Sequence, residues 1–462
     1  MEKSRPSFWN HLLSRPVIAI GVAIGLIITS AGLGLIIPNT FAPLLVAGGV
    51  AGSLVFILWL KKPITAFYTA VWLVFLPLGL IPAEIHSFLN RFTVVAAFIT
   101  WGIMTILSRQ RVVLTPAAIS MSVFLVWGLT TLAWSSVPSV TFYNLQIYAL
   151  RWILFLILGA NFLNERNHQK SFMRVLTFNG WILIALFLFT LITSGYNPGT
   201  RLKIAGMNEN ETATLAIILL PAILWGNSSQ PNKGFFSKHA APVVYILLTC
   251  LLTVMSGSRG GLLSLVVVML GFSFLRETRL YPLLGIGCTL LIILVYPQLF
   301  ATFFYRLTVE SSQSLLGGRE AIWKAAMMMI ADHTWFGIGL GNAPTEILSY
   351  LRFFTPVSSN YVALHNPLLT LWAETGVIGL LLYGSVFISS AFVFLSRFYH
   401  ALKLHLSSAI TRYSINGIAV AAYLVSWIKG GGAESTYTFF LALLLLNLPI
   451  LSTGYSETQP TG

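Results

Sequence analysis

The tripeptide His365-Asn366-Pro367 joins a titratable imidazole to two strong helix-start signals. Asn is a favoured N-cap and Pro a favoured first helical residue, so a helix is expected to begin at Pro367. His365 then sits beside the positive end of that helix. The field there disfavours imidazolium and keeps the ring neutral, the state a general base needs. The competing reading is a structural histidine at an interface. Nine residues on, Glu374 falls roughly two turns into the helix, at about 1.5 Å per residue. A carboxylate there either takes part in chemistry or forms half of an ion pair, with Arg151 as its partner in the second case.

Three arginines could serve an anionic ligand at the same end. Arg259 stands in Ser256-Gly-Ser-Arg-Gly-Gly, where Gly260 and Gly261 would let a ligand approach the backbone. Arg201, with Lys203, lies in a polar segment before an apolar run, and Arg319 opens a helical stretch. Guanidinium binds phosphate bidentately and helix N-termini add amide donors, so together the three suit a pyrophosphate. Taken singly, each reads as an interfacial anchor rather than a ligand residue.

Other motifs carry less. Gly337-Ile-Gly-Leu-Gly341 resembles a dinucleotide loop, but without a strand–helix context or a downstream acid it reads as a tight backbone turn. The close acids Glu209 and Glu211 read as a solvated loop rather than a divalent-ion site. Asp-x-Asp, His–Cys and Walker patterns do not occur, and no metal site is expected. Cys250 and Cys288 lie within apolar runs and read as inert.

These residues must be held by membrane-spanning helices. Of 462 residues, 56% are hydrophobic and only 9% charged, against about 25% charged in a soluble globular protein. Mean hydropathy is +0.82. Too little charge exists to cover a soluble surface of this size, so the chain reads as an all-α polytopic membrane protein. The net charge of +14 does not imply nucleic acid, because no basic run exceeds Lys61-Lys62.

Apolar runs of near-spanning length fall at 17–37, 41–60, 64–82, 92–107, 115–134, 142–163, 175–194, 212–226, 242–257, 260–275, 280–296, 367–395, 413–428 and 437–451, which gives about 12–14 spans. The first run is long enough to span and lacks a signal-peptide cleavage region. No internal repeat is visible. With the N-terminus inside, seventeen of the 27 Lys and Arg fall in cytoplasmic segments, so positive-inside counting predicts both termini in the cytoplasm. The organisation expected is a first helical block over 1–296, an extracytoplasmic loop over 297–366, and further helices with a cytoplasmic tail over 367–462. A 70-residue loop between packed spans is usually functional. Within it, Arg319 to Ile330 carries an apolar stripe (Ile322, Ala325, Ala326, Met329, Ile330), and Pro344 opens a second short helix.

From about Arg201 to Gly379 the sequence resembles the O-antigen ligase and O-antigen polymerase (Wzy/WaaL-like) superfamily of bacterial membrane glycosyltransferases. His365-Asn366, nine residues, then Gly376-Val-Ile-Gly379 is similar to that family's His-Asn…Gly-x-x-Gly signature. Ser258-Arg259-Gly260 resembles its Ser-Arg-Gly element, and Arg319…Trp323…Asp332-His333…Phe336-Gly-Ile-Gly-Leu-Gly-Asn342 its loop segment. Asn208 to Asn210 stands where the family has an Asn-rich turn. The resemblance implies a GT-C-like bundle with its active site on the outer, periplasmic face of the bacterial inner membrane. The donor implied is a glycan on undecaprenyl pyrophosphate, transferred without a metal or other cofactor to an acceptor sugar hydroxyl.

In family terms His365 is catalytic and Arg201, Arg259 and Arg319 bind pyrophosphate. The residues themselves add Glu374 as a second catalytic candidate, with Asn366, Lys203 and Arg151 in support. The reaction expected is inverting. The acceptor is a second lipid-linked glycan for a polymerase, towards which the span count leans, or the lipid A core for a ligase. Expected partners are the bilayer, the donor and the acceptor, with a flippase and a chain-length regulator beyond them. The rival expectation is an inorganic-anion, bicarbonate-like transporter, opposed by the missing repeat and the outer-face clustering of polar residues.

Overall fold

The computed structural model describes residues 52, 55–77, 80–195, 200–228, 235–305, 308, 319–357, 359–430 and 436–449, and every regular element among them is helical. The apolar run 17–37 and most of 41–60 lie outside the described residues. The chain divides into two compact units: one takes Met1–Leu73 and Ser87–Val113, the other Val74–His86 and Leu114–Gly462.

Helices α1 (Pro63–Val74) and α2 (Ala83–Leu107) supply the described part of the first unit. Ala66 and Ala70 in α1, and Val94 and Ala97 in α2, are fully buried at helical spacing. The Thr100 hydroxyl returns to the Ala96 carbonyl at 2.9 Å, which satisfies a polar group without a partner helix.

The second unit carries the candidate site. Its helices are α3 (Pro116–Thr130), α4 (Pro138–Arg151), α5 (Gly159–Phe162), α6 (Arg166–Ser194), α7 (Glu209–Ile218), α8 (Leu220–Ser228), α9 (Phe235–Met255), α10 (Arg259–Ser273) and α11 (Leu280–Val295). After them come α12 (Ala301–Tyr305), α13 (Glu320–Asp332), α14 (Ala343–Leu351), α15 (Pro367–Lys403), α16 (Ser407–Gly430) and α17 (Thr436–Asn447). A π-helical stretch, Trp152–Leu158, joins α4 to α5.

Among the described residues, five helices are long and apolar enough to cross a membrane: Ala83–Leu107, Pro116–Ala133, Pro138–Phe162, Arg166–Ser194 and Pro367–Lys403. The chain is therefore an all-α, multi-pass membrane protein. Several helices outrun the apolar runs that announced them. Helix α2 starts at Ala83 rather than 92, α6 at Arg166 rather than 175, and α15 continues to Lys403. In each case polar residues extend the helix, as in Arg166-Asn-His-Gln-Lys. The run 212–226 is in fact two helices, α7 and α8, meeting at Leu219.

Two pairs, α10 with α16 and α3 with α15, pack most extensively. Small residues bring α10 against α16, as expected where lipid gives no hydrophobic drive between helices. A Cβ on Gly271 would lie 2.6 Å from the Ile418 side chain. One core cluster joins α6, α7, α9, α10 and α16 through Phe187, Ile217, Tyr245, Val268, Phe272 and Ala422. A separate cluster belongs to the loop region: Ala325, Ala326, Met329 and Ile330 of α13 meet Ala343, Ile347 and Leu351 of α14, together with Leu364 and Ala373. The buried face of α13 is thus the stripe read from its sequence, with Ile322 partly buried beside it.

Candidate active site

Asn366 caps α15 as its sequence predicts. Its side-chain oxygen accepts the Leu368 amide at 3.0 Å and the Leu369 amide at 3.2 Å, and Pro367 follows as the first helical residue. The preceding backbone is unusual. His365 has φ of +53°, a left-handed conformation that residues with a Cβ rarely adopt. On its other side Leu364 is buried, and the Leu364 carbonyl accepts the Trp323 indole N–H at 3.0 Å. His365 is half-buried. Burial, and then the neighbouring Arg319 guanidinium, hold its imidazole below the ordinary histidine range. Arg319 is the N-cap residue of α13, and its carbonyl accepts the Trp323 amide at 2.9 Å. Arg319 therefore lies near enough to His365 for its charge to act on the ring.

Glu374 does not meet Arg151. Among the described residues its carboxylate has no ion pair, and its partners are the Gly341 and Ala343 amides, the latter at 3.4 Å. Glu374 is only 2% exposed. The physical reason is a break in α15. Gly376 has φ of +68° and ψ of −179°, a region open to glycine alone, so the helix ends and restarts there. Four groups at the break find partners outside the helix. The carbonyls of Ala373, Glu374 and Thr375 accept the Ile338 amide (3.0 Å), the Gly339 amide (2.9 Å) and the Trp127 indole (2.9 Å). The Val377 amide donates to the Thr334 carbonyl at 2.8 Å. A Cβ on Gly376 would collide with the Trp335 carbonyl, and one on Gly337 with the Glu374 carbonyl. The Gly337-Ile-Gly-Leu-Gly341 turn is thus a clasp on a broken helix, and Glu374 closes it by capping the start of α14. Trp127, Trp134 and Phe336 cluster beside the clasp, with ring centroids 5.8–6.1 Å apart.

Arg201 and the Arg259 turn form a second group. Arg201 Nε donates to the Ser256 carbonyl at 2.9 Å and its Nη2 to Asn210 at 3.0 Å, while Nη1 lies 3.4 Å from Glu209. Glu209 is buried, which corrects its reading as part of a solvated loop. Asn208 caps α7 by accepting the Asn210 amide at 2.9 Å, so Glu209 and Glu211 occupy the first turn, where the helix field favours acids. Ser258 caps α10 through the Gly261 amide at 3.0 Å, with Arg259 as the first helical residue. Gly260 and Gly261 do not open the backbone to a ligand. A Cβ at Gly260 would lie 3.2 Å from Ser426 Oγ, and one at Gly261 2.7 Å from Ala213 Cβ, so both glycines admit neighbouring helices. Lys203 is exposed.

The sequence marked Trp323 and Asn210 only as positions in family-like motifs and gave them no role, and it did not single out Trp372 or Trp127. The signal for the tryptophans was an indole at the edge of an apolar face, where such groups usually find a polar partner.

A multi-pass helical membrane protein with a capped histidine, an arginine-bearing loop helix and a clasped helix break is the class of protein these features define. Residues 244–384 match a family model described as O-antigen ligase. Over this stretch the chain is similar to the O-antigen ligase and polymerase superfamily of membrane glycosyltransferases. It takes in Arg259, Arg319, His365 and Glu374, and leaves Arg201, Lys203 and Arg151 outside. No curated protein matches the chain.

Proposed function

We propose that this protein transfers a glycan from undecaprenyl pyrophosphate to the hydroxyl of an acceptor sugar at the outer face of a bacterial inner membrane. The observation that carries the reading is His365, half-buried on a left-handed turn beside Arg319. Because its pKa is lowered, the imidazole is neutral at pH 7 and can accept a proton. In the proposed step the acceptor oxygen attacks the anomeric carbon and His365 takes the hydroxyl proton. The bond to pyrophosphate breaks with its electron pair on the leaving oxygen, and attack from the opposite side inverts the anomeric centre. Guanidinium charge at Arg319 and Arg259 meets the leaving group. Arg201 helps build the Ser256–Arg259 turn as much as it offers charge, since three of its nitrogens already have protein partners. Preorganised charge supplies the larger part of the acceleration and the base about 10²–10⁴-fold.

Purified His365→Ala protein, given a lipid-linked glycan donor and an acceptor, tests this. Donor binding should persist while kcat and kcat/KM fall together by about 10²–10⁴-fold, unchanged by a chelator. The wild-type rate should rise with pH through an acid limb below the ordinary histidine value of about 6.5. Wild-type turnover in the alanine variant would remove the general-base role.

A further inference from the structure

His365 adopts its backbone conformation against its own preference. A left-handed φ costs a residue with a Cβ roughly 1–2 kcal/mol, and such strain persists only where the surroundings over-determine it. Downstream, the constraint is the Asn366 cap followed by the Pro367 ring. Upstream, the Leu364 carbonyl is held by the Trp323 indole N–H at 3.0 Å. Trp323 lies one turn after Arg319 on α13, so the pin and the charge share one face of one helix. A second indole acts at the other end. Trp372 Nε1 donates to the Thr334 carbonyl at 3.3 Å. Helix α13 and the first part of α15 therefore run side by side in the same direction, tied at both ends by tryptophan. Sliding one along the other would break both ties and carry Arg319 away from His365.

We propose that Trp323 is the positioning residue of the site: its indole N–H fixes the turn that presents His365 to the Arg319 guanidinium. Any effect on turnover rests on the glycosyltransferase reading above, but the positioning itself does not. Arg319 is the charged group acting on the imidazole from α13. On the following helix the nearest charge, Glu374, is turned into the clasp, and the Asn366 cap is neutral.

The pH midpoint of His365 reaction with diethyl pyrocarbonate, which modifies neutral imidazole, is measured by mass spectrometry on the full chain in nanodiscs. Wild-type protein should react with a midpoint below that of a free histidine peptide. Arg319→Gln should raise the midpoint by roughly half a pH unit or more. Trp323→Phe, which keeps a ring and loses the N–H, should raise it in the same way, and the double variant should go no further, because coupled groups do not add. If the phenylalanine variant does not fold, 3-benzothienylalanine at position 323 has the same bicycle without the N–H and gives the same test. A wild-type midpoint in the variant lacking the N–H, or fully additive shifts in the double variant, overturns the proposal. So does an unmoved midpoint in Arg319→Gln. Turnover, read in parallel, should fall at least tenfold at nearly constant KM. If the midpoints shift as expected while neither Trp323→Phe nor His365→Ala changes glycan transfer, the positioning stands and the catalytic reading of His365 fails.

Discussion

Glu374 and His365 sit nine residues apart and do different work. His365 lies in the field of the Arg319 guanidinium on a half-buried turn, whereas Glu374 is sealed among main-chain amides. A buried donor left without its acceptor costs about 1–3 kcal/mol, so the two substitutions of Glu374 should diverge. Glu374→Gln keeps a carbonyl oxygen for the Gly341 and Ala343 amides and should unfold within a few degrees of wild type. Glu374→Ala leaves both amides unpaired and should lose about 2 kcal/mol or more, seen as a lower midpoint in thermal unfolding of the detergent-solubilised protein. If Glu374→Gln instead abolishes glycan transfer at unchanged thermal stability, the carboxylate belongs to the chemistry after all.

Helix α15 is the element on which the site depends. Its 37 residues would extend about 55 Å as one rod, against a hydrocarbon core of about 30 Å. The break at Gly376 resolves the excess. Residues before it join the core of α13 and α14 through Ala373, and residues after it continue as the spanning helix. The clasp around the break also fixes α13, because Thr334, at its end, bonds both Trp372 and Val377. Gly376→Ala should therefore be costly twice, through a backbone region closed to alanine and through collision with the Trp335 carbonyl. The loss should be on the order of 3 kcal/mol or more, with glycan transfer falling as His365 and Arg319 lose register. Gly384→Ala, eight residues further along with open space around its Cβ, should be neutral or mildly stabilising in the same thermal assay, since alanine is the better helix former. Equal effects at the two positions would remove the clasp from the account.

The whole molecule must present this site to one side of a membrane. Positive-inside counting sends Arg276 and Arg279 to the cytoplasm and the loop bearing α13 to the outer face. In a variant lacking Cys250 and Cys288, a cysteine at exposed Lys324 should react with a membrane-impermeant maleimide in intact spheroplasts, while one at exposed Arg279 should react only after permeabilisation. The reverse pattern would invert the orientation and take the site away from an extracytoplasmic donor.

Composition and pattern alone settled that the chain is helical and membrane-embedded, because 9% charge cannot cover a soluble surface of this size. The Asn366 cap, the buried stripe of α13 and the Pro at the start of α14 were also legible, since each is a local rule read within a turn or two of helix. The partners of these elements were not legible. Glu374 offered Arg151 by charge, yet the main-chain amides of Gly341 and Ala343 took the carboxylate, and backbone amides carry no mark in a sequence. Gly260 and Gly261 looked like room for a ligand and proved to be room for Ser426 and Ala213, because a missing side chain does not say what fills its space. The Gly376 break was hidden in an unbroken apolar run. Helix geometry depends on φ and ψ, and only the closing of the 334–341 turn onto Ala373–Val377 repays the hydrogen bonds that a break gives up.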